Sequence, residues 1–240
     1  MRRPSFHSSS SARSRPPTAK TSPAFCAATS RWTERRAGPG INFLAHCLIP
    51  ELALEETHPD LVAGGFLGEF VKGRVPESLP DTLATGVRLH RRIDAYSNTQ
   101  PAIRASCQRF PAPLRRFAPV FVDIIADHLL AQNWSSYHPG AIAEFSAASY
   151  RAIAAREALL PEPGRRLFEF MLEADLLASY ADAAVMYRAL GSVARRLRRE
   201  ELADRLRETV PALLPELQAD FFDYFPDLVS HAGQWLSAER

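Results

Sequence analysis

From Ile41 to the C-terminus, apolar residues recur at the three- and four-residue spacing of an α-helix, and no stretch alternates convincingly as a half-buried strand would. With few glycines inside the periodic stretches, the pattern restricts the chain to an all-α fold. The spacing predicts helices over Asn42–Ile49 and Asp60–Val71, the second stopped by Lys72-Gly73. Ser78-Leu-Pro80-Asp81 starts a third that runs to about Tyr96, and Asn98-Thr99-Gln100-Pro101 breaks it before a shorter helix to about Arg109. A long helix follows Pro111-Ala-Pro113 and reaches about Trp134. The C-terminal half is predicted as helices over Ala141–Leu159, Gly164–Tyr180, Ala181–Leu190, Val193–Thr209, Leu213–Phe225 and a last one from Pro226. The 240 residues leave room for one large domain or two small ones, and no internal repeat divides them, so residues 41–240 read as a single helical domain.

The preceding segment is different. Residues 1–40 are rich in Ser, Arg, Pro and Thr, include the run Ser8 to Ser11, and end in Gly38-Pro39-Gly40. They show no helical or strand period, and this composition predicts disorder. Their eight Lys and Arg against one acid, Glu34, resemble an organelle transit peptide without the apolar core of a secretory signal. The other expectation is an extension that does not belong to the working protein. The net charge of +2 hides this asymmetry, because residues 41–240 carry 21 basic and 26 acidic residues. A mildly acidic body argues against nucleic acid as a partner. No apolar run is long enough to span a membrane. Cys26, Cys47 and Cys107 are far apart, so neither a disulfide framework nor a zinc knuckle is expected, and a reducing cytoplasmic setting follows.

Ionisable residues interrupt three of the predicted helices: His46 in Asn42-Phe-Leu-Ala-His46, His90 and Asp94 in Gly86-Val-Arg-Leu-His90-Arg-Arg-Ile-Asp94, and Asp123, Asp127 and His128 in Asp123-Ile-Ile-Ala-Asp127-His128. A buried carboxylate or imidazole costs several kcal/mol unless it is paired or ligates a metal. His90 and Asp94 share a helix face, as do Asp123 and Asp127. Two such helices facing each other, with His46 and Glu69 completing the set, make a site for a divalent cation that would acidify a bound water and polarise a phosphoryl oxygen. Spacing alone leaves a structural reading open for each: a hydrogen-bonded core histidine at 46, a salt bridge from Asp94 to Arg91 or Arg92, a solvated face for the aspartates. Lys72, Arg91 and Arg92 are candidates for binding a phosphate or an acidic partner, or are surface charges. Arg195-Arg196-Leu-Arg198-Arg199 reads first as a solvated helix face and second as a docking patch.

Taken together, Asn42-Phe-Leu-Ala-His46, Gly-x4-Phe70-Val-Lys-Gly73, Gly86-x3-His90-Arg-Arg-Ile-Asp94, Asp123-x3-Asp127-His128-x-Leu-x3-Trp134 and the aromatic Phe221-Phe222-Asp-Tyr224-Phe225-Pro226 resemble the acyl carrier protein phosphodiesterases. The likeness runs from Ile41, which stands where family members begin with Met, and so favours an extraneous 1–40. It implies a helical fold related to the HD-domain phosphohydrolases and a dependence on Mn2+, or another divalent metal such as Mg2+. The implied substrate is holo acyl carrier protein, cleaved to apo carrier protein and 4′-phosphopantetheine in the context of fatty acid biosynthesis. By the same carry-over, His46, Glu69, His90, Asp123 and Asp127 are metal candidates, Asp94, Asp127 and His128 catalytic candidates, and Lys72, Arg91 and Arg92 substrate-binding candidates. The Asp-His order at 127–128 reverses the superfamily dyad, so ligand and general base stay unassigned. The chain departs from the family in having Gly64-Gly65 and Glu69 where Gly-Asn and Asp are usual, which removes an amide and moves a carboxylate out by one methylene. Three alternatives stand beside this expectation: a phosphohydrolase acting on another small phosphodiester or nucleotide, a helical protein that docks an acidic carrier without turnover, and a plain helical scaffold that binds no metal.

Overall fold

The computed structural model describes residues 43–56 and 58–239. The expectations for residues 1–40 and for a helix start at Asn42 lie outside them. Among the described residues there is no strand. Ten α-helices follow one another: α1 (Phe43–Leu54), α2 (Pro59–Gly68), α3 (Asp81–Ser97), α4 (Pro101–Arg109), α5 (Ala118–Gln132), α6 (Ile142–Ala154), α7 (Glu162–Ala174), α8 (Leu176–Ser179), α9 (Ala183–Arg196) and α10 (Glu201–Glu239). Short 3-10 turns at Leu114–Phe117 and Trp134–Ser136 take the two ends of the stretch predicted as one long helix after Pro113, and Glu157–Leu159 takes the end of the one predicted over Ala141–Leu159.

α1 is apolar all round, and Phe43 to Pro50 are all buried, as a helix at the centre of a bundle requires. It lies among α2, α5 and α10. α2 packs along α3 and also against α6. Bidentate hydrogen bonds from Arg156, beyond α6, to Asp60 in the first turn of α2 (2.7 and 2.9 Å) tie down the α2 end.

α10 differs most from the sequence expectation. The predicted breaks at Leu213 and Pro226 are absent, and one helix of 39 residues runs through Pro211, Pro215 and Pro226. All three prolines are exposed, while Leu202, Leu206, Val210, Leu217, Phe221, Tyr224, Phe225, Leu228, Ala232 and Leu236 form a buried stripe across them. A proline removes one backbone hydrogen bond and bends the helix, but on the solvent side the bend wraps the helix around its core. The stripe packs on α1, α3, α4, α5 and α9, and that burial outweighs the local cost. The break sits upstream instead. α9 ends at Arg196, Arg198 takes a left-handed φ of 55°, and the Arg199 amide reaches back to the Ala194 carbonyl (2.9 Å). That closing motif normally carries Gly or Asn, so Arg at this position gives no sequence signal. Asp175, at φ 41°, ends α7 in the same way and receives a hydrogen bond from Ser146 (2.5 Å).

Candidate functional site

Asp127 lies on the buried face of α5 with no exposed surface. Its Oδ2 accepts the Leu44 amide and its Oδ1 the Ala45 amide, each at 3.0 Å. Those amides belong to the first described turn of α1, the end at which the helix dipole favours an anion. Asp127 therefore holds α1 from another helix and fixes the rotation that directs His46, the residue after Ala45.

α3 brings the second group of side chains. Gly86, His90 and Asp94 follow at intervals of four and share one face. The face approaches α2 through glycines. A Cβ on Gly86 would lie 2.6 Å from the Leu61 carbonyl oxygen, one on Gly64 2.4 Å from the Leu83 oxygen, and one on Gly68 2.6 Å from His90 Cγ. The space a side chain would take is filled by the partner backbone and, at the end of α2, by the His90 ring.

His46 and His90 stack with ring centroids 4.0 Å apart. Asp94 reaches both: Oδ1 accepts a hydrogen bond from His46 Nε2 at 3.1 Å, and Oδ2 lies 3.4 Å from His90 Nε2. Glu69, just past the end of α2, places Oε2 4.0 Å from the same His90 nitrogen. His46 Nδ1 and His90 Nδ1 are buried without a hydrogen bond of ordinary geometry.

The electrostatics follow from burial. His90 is pushed down to about 3, by desolvation and then by the His46 charge, so its imidazole is neutral. Desolvation works against the charged form of His46 as well, but the Asp94 hydrogen bond and charge outweigh it and raise its pKa. Asp94 is lowered: burial opposes ionisation, and His46, His90 and Lys72 overcome it. Glu69, Asp123 and Asp127 are all raised to about 7, chiefly by desolvation. Repulsion from Asp94 adds to this for Glu69 and Asp123, and from Asp123 for Asp127, while the Leu44 and Ala45 amides hold Asp127 down in part.

The residues singled out in the sequence therefore separate. His46, His90 and Asp94 converge, with donor atoms within 4.8 Å of one another. Glu69 borders them, and Asp123, largely buried on α5, lies within electrostatic reach of Asp94, His46 and Glu69. Asp127 stands behind the cluster with both oxygens on α1. His128 points elsewhere, its Nδ1 donating to the Tyr180 carbonyl at 2.7 Å, so it is not among the converging groups. The Arg91 guanidinium donates to the Gly73 (2.6 Å) and Val71 (2.7 Å) carbonyls. Arg92 is exposed and its charge acts on His231, which stacks on Tyr96. Lys72 is exposed, yet its charge acts on Glu69, His90 and Asp94. Sequence reasoning missed Arg196, read there as part of a solvated run; it is half-buried and its charge acts on Glu69. It also missed the steric role of Gly64, Gly68 and Gly86, although the four-residue spacing of Gly64 and Gly68 carried a signal.

Two imidazoles, one neutral by burial, beside an ionised carboxylate are donors that suit a divalent first-row metal, and Nε2 of both rings faces the Asp94 carboxylate. Fold and site together thus define an all-α protein with a buried histidine–carboxylate centre assembled from separate helices. The chain belongs to the acyl carrier protein phosphodiesterase family, whose model it matches over residues 41–228. It is 28% identical over 200 residues to the acyl carrier protein phosphodiesterases of the Escherichia coli strains Crooks and SMS-3-5, an overlap of 81% of this chain and 98% of each relative. No solved structure matches it.

Proposed function

We propose that the protein is a divalent-metal-dependent phosphodiesterase that releases 4′-phosphopantetheine from holo acyl carrier protein. The convergence of His46, His90 and Asp94 in a chain of this family is the observation that carries the proposal. These three residues would hold the ion, Mn2+ or Mg2+, with Glu69 and Asp123 next to it. When bound, the ion supplies a Lewis acid and lowers the pKa of water in the site. Asp127 fixes His46 by holding the first turn of α1. Glu69, kept near neutral pKa by burial, is placed to exchange a proton with water. In the overall reaction one water oxygen bonds to phosphorus, the bond from phosphorus to the carrier serine oxygen breaks, and that oxygen takes a proton. No helix among the described residues is long and apolar enough to cross a membrane. A cytoplasmic carrier protein as substrate and a link to fatty acid biosynthesis are part of the proposal.

The test is to incubate the full chain with holo acyl carrier protein and Mn2+ and to measure the intact mass of the carrier. Loss of one 4′-phosphopantetheine, abolished by a chelator and by His90→Ala, is the expected result. An unchanged carrier mass in the presence of Mn2+ refutes the activity. Turnover of a small phosphodiester in its place would identify another substrate for the same site.

A further inference from the structure

Glu69 stands at the edge of the histidine–aspartate cluster, its side chain 12% exposed and its Oε2 4.0 Å from His90 Nε2. It is the first residue after α2, and the helix end by itself holds it loosely. Glu69 keeps helical dihedrals (φ −61°, ψ −32°), so no left-handed residue closes α2 at this point. Its amide reaches the Phe66 carbonyl at 3.4 Å, and the Leu67 carbonyl takes both the Phe70 (2.9 Å) and the Val71 (3.1 Å) amides. Residues 69–80 then run to α3 with no helix of their own. A helix end of this kind frays unless its last carbonyls find donors.

Two contacts from outside secure the segment. The Phe70 ring lies against Phe66 (centroids 5.3 Å apart) and against Gly164 near the start of α7, where a Cβ would come 3.3 Å from Phe70 Cδ2. On the α3 side, Arg91 donates through Nη2 to the Val71 carbonyl (2.7 Å) and through Nη1 to the Gly73 carbonyl (2.6 Å). Gly73 presents its carbonyl with φ +76°, the left-handed geometry that glycine adopts without strain. Arg91 is the residue next to His90. α3 therefore carries both the ring that Glu69 faces and the guanidinium that grips the chain two and four residues beyond Glu69.

We propose that Arg91 is a positioning residue for Glu69: by gripping the Val71 and Gly73 carbonyls it holds the end of α2 so that the Glu69 carboxylate stays at the divalent-cation site beside His90. This deepens the phosphodiesterase reading and rests on it for the ion. The charge of Arg91 works against a second cation nearby, so what the residue gives the site is geometry. Geometry and charge then predict opposite signs when Arg91 is removed.

The test is calorimetric titration of the full-length protein with Mn2+, which does not depend on turnover. Arg91→Gln should weaken Mn2+ binding about tenfold, as is typical when a group that orients a metal's neighbours is lost, whereas loss of charge alone would tighten it. Glu69→Gln should weaken binding to a similar degree. Adding Arg91→Gln to Glu69→Gln should cost less than about a further twofold, since Arg91 acts through Glu69. Arg91→Lys keeps the charge without the fork and should behave as Arg91→Gln does. A Cβ at Gly73 meets no atom within 4 Å, so Gly73→Ala acts through strain at φ +76° and should weaken binding about threefold. In the metal-free protein, hydrogen exchange at the Phe70 and Val71 amides should quicken in Arg91→Gln. Circular dichroism confirms that each variant is folded, and if Arg91→Gln is not, Gly73→Ala with and without Glu69→Gln makes the same comparison. Unchanged or tighter Mn2+ binding in Arg91→Gln, recovery in Arg91→Lys, unchanged binding in Glu69→Gln, equal losses with and without Glu69, or unaltered exchange at residues 70 and 71 overturns the positioning role while the metal reading stands. Failure of the unmodified protein to bind Mn2+ overturns the metal reading and the role with it. If the binding pattern holds but holo carrier protein is not cleaved, the role stands and the substrate reading fails.

Discussion

Gly86→Ala gives a prediction in which two physical effects oppose each other in sign. In the interior of a helix Ala is favoured over Gly by about 1 kcal/mol, so the substitution alone should stabilise α3. The added methyl group, however, would lie 2.6 Å from the Leu61 carbonyl oxygen and 2.9 Å from Gly64 Cα, both backbone atoms that cannot rotate away. Overpacking of this kind costs about 1–3 kcal/mol, and a backbone obstacle places Gly86 toward the upper end. The expected net loss is about 1–2 kcal/mol, a fall in melting midpoint of about 2–8 °C for a domain of this size. Gly191→Ala is the matched comparison. Its Cβ would meet nothing closer than 3.6 Å, so there the helix-propensity gain should survive and the midpoint should rise. Because His90 and Asp94 follow Gly86 on the same face, separating α3 from α2 also moves both away from His46, and Mn2+ affinity by calorimetry should fall about tenfold. The assay is thermal unfolding by circular dichroism, with and without Mn2+. A midpoint for Gly86→Ala that rises as in Gly191→Ala would refute the argument that glycines set the α2–α3 approach and through it the geometry of the site.

Three further outcomes follow. Asp127→Asn leaves an amide N–H facing one of the two α1 amides it now accepts, which should cost about 1–3 kcal/mol, or about 2–12 °C in melting midpoint, and should also weaken Mn2+ binding through His46; a normal midpoint would remove the role in holding α1. His128→Ala frees the Tyr180 carbonyl in the interior and should lower stability by about 1–3 kcal/mol while leaving Mn2+ affinity within twofold, and a large loss of metal affinity at unchanged stability would place His128 back in the centre. Pro226→Ala, at an exposed position inside α10, should raise the melting midpoint by a few degrees, since Ala restores a helical hydrogen bond that Pro denies; a fall would mean that the bend itself is needed for packing.

The helical class was legible because several helices, α3, α7, α9 and α10 among them, bury one apolar stripe, and a stripe is visible as spacing. Its interruptions were less legible, because proline and left-handed residues act through context. Pro226 predicted a boundary on local grounds, but the stripe that runs from Val210 through Phe221 to Leu236 continues across it, and the burial it gains against five other helices prevails. Conversely, Arg198 holds a position where glycine is the usual marker, so a real boundary carried no marker.

The same division runs through the site. The four-residue intervals from Gly86 to His90 to Asp94 placed a glycine, an imidazole and a carboxylate on one face, and the structure shows why all three are needed: the glycine admits the neighbouring helix, and that closeness brings the two side chains against His46. The roles of Asp127, His128 and Arg91 could not be read the same way. Each is polar, next to apolar residues and within a family motif, and these properties are the same for a group that faces the cluster and for one that holds a backbone. What distinguishes them is which amides and carbonyls they hold: the Leu44 and Ala45 amides for Asp127, the Tyr180 carbonyl for His128, and the Val71 and Gly73 carbonyls for Arg91. Those contacts exist only once the helices are packed. Much of the motif around this centre therefore supports the three converging residues by fixing the backbone that carries them.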